Sequence, residues 1–326
     1  MRRREFIGLA FGSTAFVWPR RTLAQQSGKL PIIGFIGGAT PAMWAPWTGA
    51  FVDRLKSLGW IDGQTVKLEF RWAEGRPELH TQFAQELAKL NPNVMFASGN
   101  ELAAITKITS TIPTVFLSND ALGGGVVKSL ARSGGNITGI TLQTLDIANK
   151  RFELLRETVP SMRRLGVMAN ANLVPTMLEM NTVQELARKF TIDPIPFEIR
   201  RTEDIEPAFA RLKGEQADAL YVVIDALLNA NRLLIVRSAE AAKVPAIYGT
   251  RDWVQSGGLM SYGPNFPSLF ARLAEMTDSI LRGTKPENIP IEQPTRFELV
   301  VNLKTSNAIG LAIPEAFLVR ADEVIE

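Results

Sequence analysis

The chain has 326 residues and a formal net charge of +3, while residues 1–24 alone carry five arginines and one glutamate, a net of +4. Subtracting +4 from +3 leaves the remainder at −1, which gives no electrostatic case for nucleic acid or an anionic membrane as a partner. There is no cysteine, so disulfides, thiolate metal sites, cysteine nucleophiles and an N-terminal lipid anchor on cysteine are excluded.

The first segment has the layout of an export signal. Arg2–Arg4 form a basic head, Phe6–Trp18 is a mostly apolar run of 13 residues, and Thr22–Ala24 supplies small residues for cleavage. A membrane-spanning helix needs roughly 20 apolar residues, so residues 1–24 are predicted to be a cleaved signal peptide and the mature protein to be soluble and periplasmic. Arg3–Ile7 resembles the twin-arginine export motif. The alternative is an ordinary secretory signal that is rich in arginine.

After this segment, apolar runs of strand length alternate with stretches of helical period. In the first half, Trp44, Trp47, Phe51 and Leu55 recur at spacings of three and four, which predicts one apolar stripe on a helix. The predicted strands are 31–36, 66–70, 94–97, 113–117 and 137–142, and the predicted helices are 44–58, 79–90, 100–109 and 122–132.

The second half repeats this alternation. Its predicted helices are 146–157, 175–190, 203–213, 227–242, 251–256 and 267–282, and its predicted strands are 165–169, 194–199, 219–224, 246–248, 258–262 and 297–302. Roughly 300 residues exceed what one core usually holds. The sequence therefore predicts an α/β fold with two similar, doubly wound parallel-sheet lobes and a ligand cleft between them.

Small and polar residues follow the predicted strands. In doubly wound sheets, ligands bind beyond the carboxyl ends of the strands. Two lobes that present such residues to a shared crevice would form a clamp for a small polar molecule. The alternative is that these side chains cap the following helices, and the two roles can coexist. The small and polar segments that follow the predicted strands are 37–40, 98–100, 118–120, 170–172, Asp225 and 250–251.

The sequence offers little for catalysis. His80 is the only histidine, and its place beside an apolar helical stripe predicts a surface helix position rather than a triad or a metal site. No spacing pairs two carboxylates. We therefore expect no catalytic residue, no metal site and no cofactor, and the protein is predicted not to be an enzyme. Trp44 is expected to pack in the core, with stacking on a ligand as the alternative.

Several motifs resemble those of the TrpX-like family, whose members are substrate-binding proteins of ABC transporters. They are GGNITG at 134–139, GGLMSYG at 257–263, QPTRFELVVN at 293–302 and RADEVI at 320–325, together with the signal, PIIGFIGG at 31–38 and FRWAEG at 70–75. The resemblance covers essentially the whole chain. It implies a type I periplasmic-binding-protein fold with two α/β lobes, three crossing segments and a ligand between the lobes.

The resemblance also implies lobe boundaries and crevice positions. The first lobe would comprise 29–141 with 266–290 and the second 142–265 with 291–326, so the chain would cross near 141–146, 262–266 and 290–295. The ligand-binding candidates by matching position are Thr40, Ser98, Asn100, Ser118, Thr141, Asn170, Asn172, Asp225 and Tyr262.

Two crevice loops depart from the family's usual pattern. The chain has Asp120-Ala121 where the family commonly has Asp-Pro, and Asn170-Ala171 where it commonly has Asn-Pro. Since both departures fall in predicted pocket loops, the resemblance does not carry over the identity of the ligand.

The leading hypothesis is a monomeric periplasmic receptor that delivers a small polar solute to the permease of an ABC importer. One alternative is a receptor that reports its ligand to a membrane sensor, and another is an exported hydrolase. A permease gene and an ATPase gene beside this one would favour transport. The lack of a histidine, cysteine or metal constellation disfavours the hydrolase.

The expected ligand is an amino-acid-like zwitterion. Neutral donors in the strand-end loops and the positive ends of helices suit a carboxylate. Asp225 is placed to meet an ammonium group, and Trp44 or Tyr262 could cover an apolar side chain. The rival is a neutral polar solute, for which Asp225 would only cap the helix that follows.

Overall fold

The structure is a computed structural model that describes residues 29–99, 101–123, 125–131, 134–142 and 144–326. The predicted signal peptide and the candidate Asn100 lie outside the described residues.

A five-stranded parallel sheet forms the first lobe. Its order is β2-β1-β3-β4-β5, from the strands Ile32–Gly37 (β1), Lys67–Trp72 (β2), Val94–Ser98 (β3), Thr114–Ser118 (β4) and Ile137–Thr141 (β5). All five strands match predicted ones, because a parallel sheet covered on both faces favours apolar sequence in its strands. The more exposed β2 forms one edge of the sheet.

Helices cover this first sheet. They are Pro41–Ser57 (α1), Leu79–Lys89 (α2) and Glu101–Ile108 (α3), joined later in the chain by Phe266–Leu281 (α10), which packs on α1. The predicted stripe of α1 is confirmed, since Trp44, Trp47, Phe51 and Leu55 are all buried in one core with Phe270.

A seven-stranded sheet forms the second lobe, in the order β12-β11-β10-β9-β8-β6-β7. Only the β10–β11 pair is antiparallel. The strands are Arg164–Asn170 (β6), Asp193–Ile199 (β7), Ala219–Val222 (β8), Ala246–Tyr248 (β9), Met260–Pro264 (β10), Phe297–Asn302 (β11) and Glu323–Ile325 (β12). The helices are Thr144–Thr158 (α4), Val174–Lys189 (α5), Ile205–Gly214 (α6), Ala226–Ala230 (α7), Arg232–Ala241 (α8), Arg251–Gln255 (α9), Leu303–Ile309 (α11) and Glu315–Leu318 (α12).

Some predicted elements were wrong or missing. The helix predicted at 122–132 is absent from the described residues there, which form turns. The Asp120 carboxylate accepts hydrogen bonds from the Leu122 and Gly123 N–H groups, and Gly125 has a φ of +68°. The chain therefore forms turns here instead of a helix. The helix predicted at 227–242 is interrupted at Asn231. The short elements β12, α11 and α12 were not predicted.

Three connections lie between the two sheets. β5 ends at Thr141, and α4 then packs in the core of the second sheet. After β10, α10 returns to the core of the first sheet. The main chain of Glu292 bonds Gly139 and Thr141 of β5 before β11 joins the second sheet. These packings support the lobe boundaries predicted from the sequence, which stay a proposal.

Candidate functional site between the lobes

The strand-end loops of the two sheets meet. Gly38 follows β1 in the first lobe, and Ala226 begins α7 in the second. A Cβ atom built on Gly38 would lie 3.5 Å from the Ala226 Cβ and 2.5 Å from Oε1 of Glu101. The loop after β1 therefore favours glycine at this position, because a Cβ atom would clash with the Glu101 carboxylate of the same lobe.

The second lobe contributes an ordered acid–amide pair. Asn170 ends β6 and Asp225 follows β8, and these two strands are neighbours in the sheet. The Asn170 amide donates to Asp225 Oδ1 at 3.0 Å, and the same oxygen accepts the Leu227 N–H at 2.7 Å, which caps α7. Asp225 is buried, and that burial raises the pKa of its carboxyl in spite of these donors. The structure thus brings together two of the predicted residues.

Asn172 lies in the same loop but is exposed. Its side-chain amide donates to the carbonyl oxygen of Arg200 at 2.8 Å, while its backbone N–H donates to Asn170 Oδ1 at 3.0 Å. These bonds give Asn172 a role in shaping the loop, and its predicted contact with a ligand stays a prediction.

The candidates of the first lobe differ in how their hydroxyls are used. Thr40 caps α1 by accepting the Met43 N–H, and buried Thr141 accepts the Ala121 N–H at 3.0 Å. Ser98 and Ser118 end neighbouring strands, and their hydroxyls make no hydrogen bond with any residue that the structure describes. Of the four, the two serines keep the most hydrogen-bonding capacity for a ligand.

The aromatic candidates pack within the lobes. Trp44 is only 4% exposed and makes edge contacts with Phe35, Trp72 and Phe270, so the core interpretation was right. The Tyr262 ring stacks on Phe297 at 5.8 Å and is half-buried against the second core. The Tyr262 contact with a ligand stays a prediction.

Sequence reasoning missed Glu101, the first residue of α3. Glu101 is 2% exposed, and its Oε1 lies 3.4 Å from Nε2 of His80. Burial, with the charge of Asp225 nearby, raises the pKa of Glu101 to about 8. A glutamate in the first turn of a helix is ordinarily a solvated partner of the helix dipole, so no signal in the sequence marked it.

The surface position predicted for His80 was wrong. His80 lies on α2, is 9% exposed and faces Glu101 of α3. Burial lowers the pKa of its imidazole. The prediction failed because α3 covers this side of α2, a contact that the period of α2 alone does not show.

A second point of contact between the lobes lies near the β10–α10 connection. Nε1 of Trp47, on α1, donates to Oδ2 of Asp252, on α9, at 2.9 Å. Beside this bond lies a cavity of about 310 Å³, lined among others by Thr250, Asn265 and Phe266. Thr250 Oγ1 is buried and has no hydrogen-bond partner among the described residues. The cavity thus combines an aromatic wall with unused polar capacity.

Trp47→Phe is expected to favour separation of the lobes. The phenyl ring keeps the apolar contact with Phe266, whereas the bond to the Asp252 carboxylate is lost, and a hydrogen bond to a charged group contributes about 1.5–3 kcal/mol. Solution scattering should show a larger radius of gyration, and ligand affinity should fall by about tenfold or more.

Trp60→Phe is the matched control for that substitution. Nε1 of Trp60 donates to Oδ1 of Asp278 at 2.7 Å, a bond made entirely within the first lobe between the segment that follows α1 and α10. It should lower stability without changing the radius of gyration. Equal effects of the two substitutions on lobe separation would contradict the role assigned to Trp47.

Comparison with known proteins identifies the family. Residues 30–325 match the family described as ABC transporter substrate binding protein. The chain belongs to this family. The resemblance noted in the sequence is thereby confirmed, and membership in a family of binding proteins confirms the prediction that the protein is not an enzyme. No helix within the described ranges is long and apolar enough to cross a membrane.

Individual relatives agree with this assignment. A tyrosine-binding protein of Clostridioides difficile is 26% identical over 263 residues, 80% of this chain and 75% of the relative. The ABC domain from Streptococcus pneumoniae in complex with L-Trp has a TM-score of 0.83 at 22% identity, covering 91% of this chain and 100% of the other. The ligand-free, open structure of a substrate-binding protein with adhesive properties from Clostridium difficile has a TM-score of 0.65 at 22% identity, covering 91% and 99%. The type I periplasmic-binding-protein fold with two lobes is confirmed.

Proposed function

We propose that this substrate-binding protein is the monomeric periplasmic receptor of an ABC importer, which closes on an amino-acid-like zwitterion and delivers it to a permease. The observation that carries the proposal is Asp225, a buried carboxylate next to Ala226, the residue that lies close to Gly38 of the opposite lobe. Asp225 forms no ion pair with a lysine or arginine in the described part of the chain. Buried charges are usually paired. An ammonium group of the ligand would supply the missing partner.

The other groups of a zwitterion also find partners at these loops. The hydroxyls of Ser98 and Ser118 are available to donate to a carboxylate, as neutral donors do in many anion sites. Thr250, which lines the cavity beside Trp47 and Phe266, follows β9, the neighbour in the sheet of β8, the strand that Asp225 follows. The Trp47 and Phe266 rings stack on each other at 4.5 Å, so an aromatic or aliphatic side chain in the cavity would pack against this stacked pair. The names of the relatives, a tyrosine-binding protein and a tryptophan complex, support this ligand class.

A thermal-shift screen of the mature protein tests the proposed ligand class. The screen should cover the twenty amino acids, a panel of sugars and a panel of nucleosides. A ligand present at 100 times its dissociation constant adds about 2.7 kcal/mol of stability, which corresponds to a rise in melting temperature of several degrees. We expect at least one amino acid to give this rise. A rise with a sugar or nucleoside and none with any amino acid would contradict the proposal.

Export by the twin-arginine route is the proposed origin of the periplasmic location. Replacing Arg3 and Arg4 together by lysine keeps the charge but removes the motif, so precursor should accumulate in the cytoplasm, as measured by fractionation and immunoblotting. Lysines at Arg20 and Arg21 form the matched control and should leave export intact. Unimpaired export of the first variant would exclude this route but not a cleaved signal peptide.

A further inference from the structure

Two buried carboxylic acids lie near each other where the lobes meet. Glu101 begins α3 in the first lobe, and Asp225 precedes α7 in the second. Gly38 lies between them, since a Cβ on it would contact both the Glu101 carboxylate and Ala226, the residue after Asp225. The two acids are close enough for the charge of Asp225 to raise the pKa of Glu101.

No cation of the described chain balances this pair. Neither acid forms an ion pair with a lysine or arginine there, and the only basic side chain in contact is His80, the pKa of whose imidazole is lowered by burial. Oε2 of Glu101 is buried and has no hydrogen-bond partner within the described residues. A buried carboxylate oxygen without a partner is costly, and like charges on two carboxylates that share a site add to the cost.

We propose that Glu101 is a second ligand-binding residue, which with Asp225 holds one ammonium group of the ligand between the two lobes. This inference rests on the proposed function and extends it to the first lobe. Burial disfavours the ionised form of both acids, and an ammonium placed between them would stabilise that form and attract both lobes. The ligand's amine would contact both acids only in the closed arrangement. These contacts would therefore favour the closed arrangement over the open one.

The charged and titratable groups around Glu101 come from three elements. His80 faces it from α2, Asp225 faces it from the second lobe, and Glu78 acts on His80 from the start of α2. A metal ion is a poorer occupant, because no group of three histidine, cysteine or acidic residues in the described ranges could hold one. An ammonium needs only the oxygens that this pair provides.

Calorimetric titration of Glu101→Gln tests the proposal. The probes are the twenty amino acids and, for each that binds, the carboxylic acid of the same side chain that lacks the amine, such as 3-(4-hydroxyphenyl)propionate for L-tyrosine. Glutamine has the shape of the protonated carboxyl, so the variant should fold. We expect roughly 10- to 100-fold weaker binding of the amino acid and less than about threefold change for its deaminated analogue.

Glu78→Gln is the matched control, because Glu78 is an exposed acid on the same side of the lobe and should affect neither probe. If Glu101→Gln is unstable, Glu101→Asp is the second variant, because it keeps the carboxylate but moves it away from the ligand by one methylene. It should also weaken the binding of the amino acid and not that of the deaminated analogue. Equal loss for both probes, or no loss for either, overturns the role of Glu101. If no amino acid binds the wild type, the proposed function fails together with this inference. If Asp225→Asn weakens amino-acid binding but Glu101→Gln does not, this inference alone is overturned.

Discussion

Asp225→Asn is expected to weaken the binding of an amine-bearing amino acid by roughly 30-fold to several-thousand-fold. Truncating one partner of a buried, hydrogen-bonded charge pair costs about 2–5 kcal/mol, and each 1.4 kcal/mol is a factor of ten in affinity. Asparagine is as good a helix cap as aspartate, so the bonds to Leu227 and Leu228 can persist. The measurement is calorimetric titration of the amino acid and of its deaminated analogue, which should lose little affinity.

Asp218→Asn provides the control for this loss. Asp218 precedes β8 and Asp225 follows it, so the two acids lie at opposite ends of the same strand. Asp218 is exposed and accepts the N–H groups of Arg163 and Arg164, at 2.8 and 2.9 Å. Its substitution should leave both affinities unchanged. If Asp225→Asn reduced the affinity of the deaminated analogue as strongly as that of the amino acid, the carboxylate would not be the ammonium partner.

Arg151→Met is expected to lower the free energy of unfolding by about 3–5 kcal/mol, the usual effect of removing one partner from a buried ion pair. Arg151 lies on α4, is fully buried and bonds the Tyr262 carbonyl at 2.7 Å and a Glu179 carboxylate oxygen at 3.0 Å. The Tyr221 hydroxyl donates to the same Glu179 oxygen at 2.7 Å. Methionine fills much of the space but provides no donor, so the Glu179 carboxylate would lose its Arg151 cation and the Tyr262 carbonyl would lose the Arg151 donor. Urea unfolding followed by circular dichroism measures the change.

Lys150→Met is the control for Arg151→Met, because it removes a cation from the neighbouring position of the same helix. Lys150 is largely exposed, and its amine lies 3.5 Å from Glu153. Exposed pairs of this kind contribute about 0–1 kcal/mol, so the unfolding midpoint should hardly move. An Arg151→Met variant no less stable than this control would show that the buried network does not hold the second lobe together.

The sequence predicted the elements of the core more completely than the residues of the site. Apolar runs such as Val94–Ser98 identified the strands because both faces of a parallel sheet are covered. The stripe from Trp44 to Leu55 likewise identified α1. The helix at 122–132 failed because local bonds from Asp120 and the glycines around position 124 favour turns over an otherwise apolar pattern.

The sequence by itself determined the two-sheet architecture and the position of the polar loops at the strand ends, because both follow from local periodicity and from the direction of parallel strands. It placed Asn170 and Asp225 near each other for that reason, and they form a hydrogen bond. Only the tertiary structure decided that Glu101 and His80 are buried and that Trp47 reaches Asp252, 205 positions away. Glu101 lies against His80 of α2 and near Asp225 of the opposite lobe, and no pattern within α3 indicates that either residue is close.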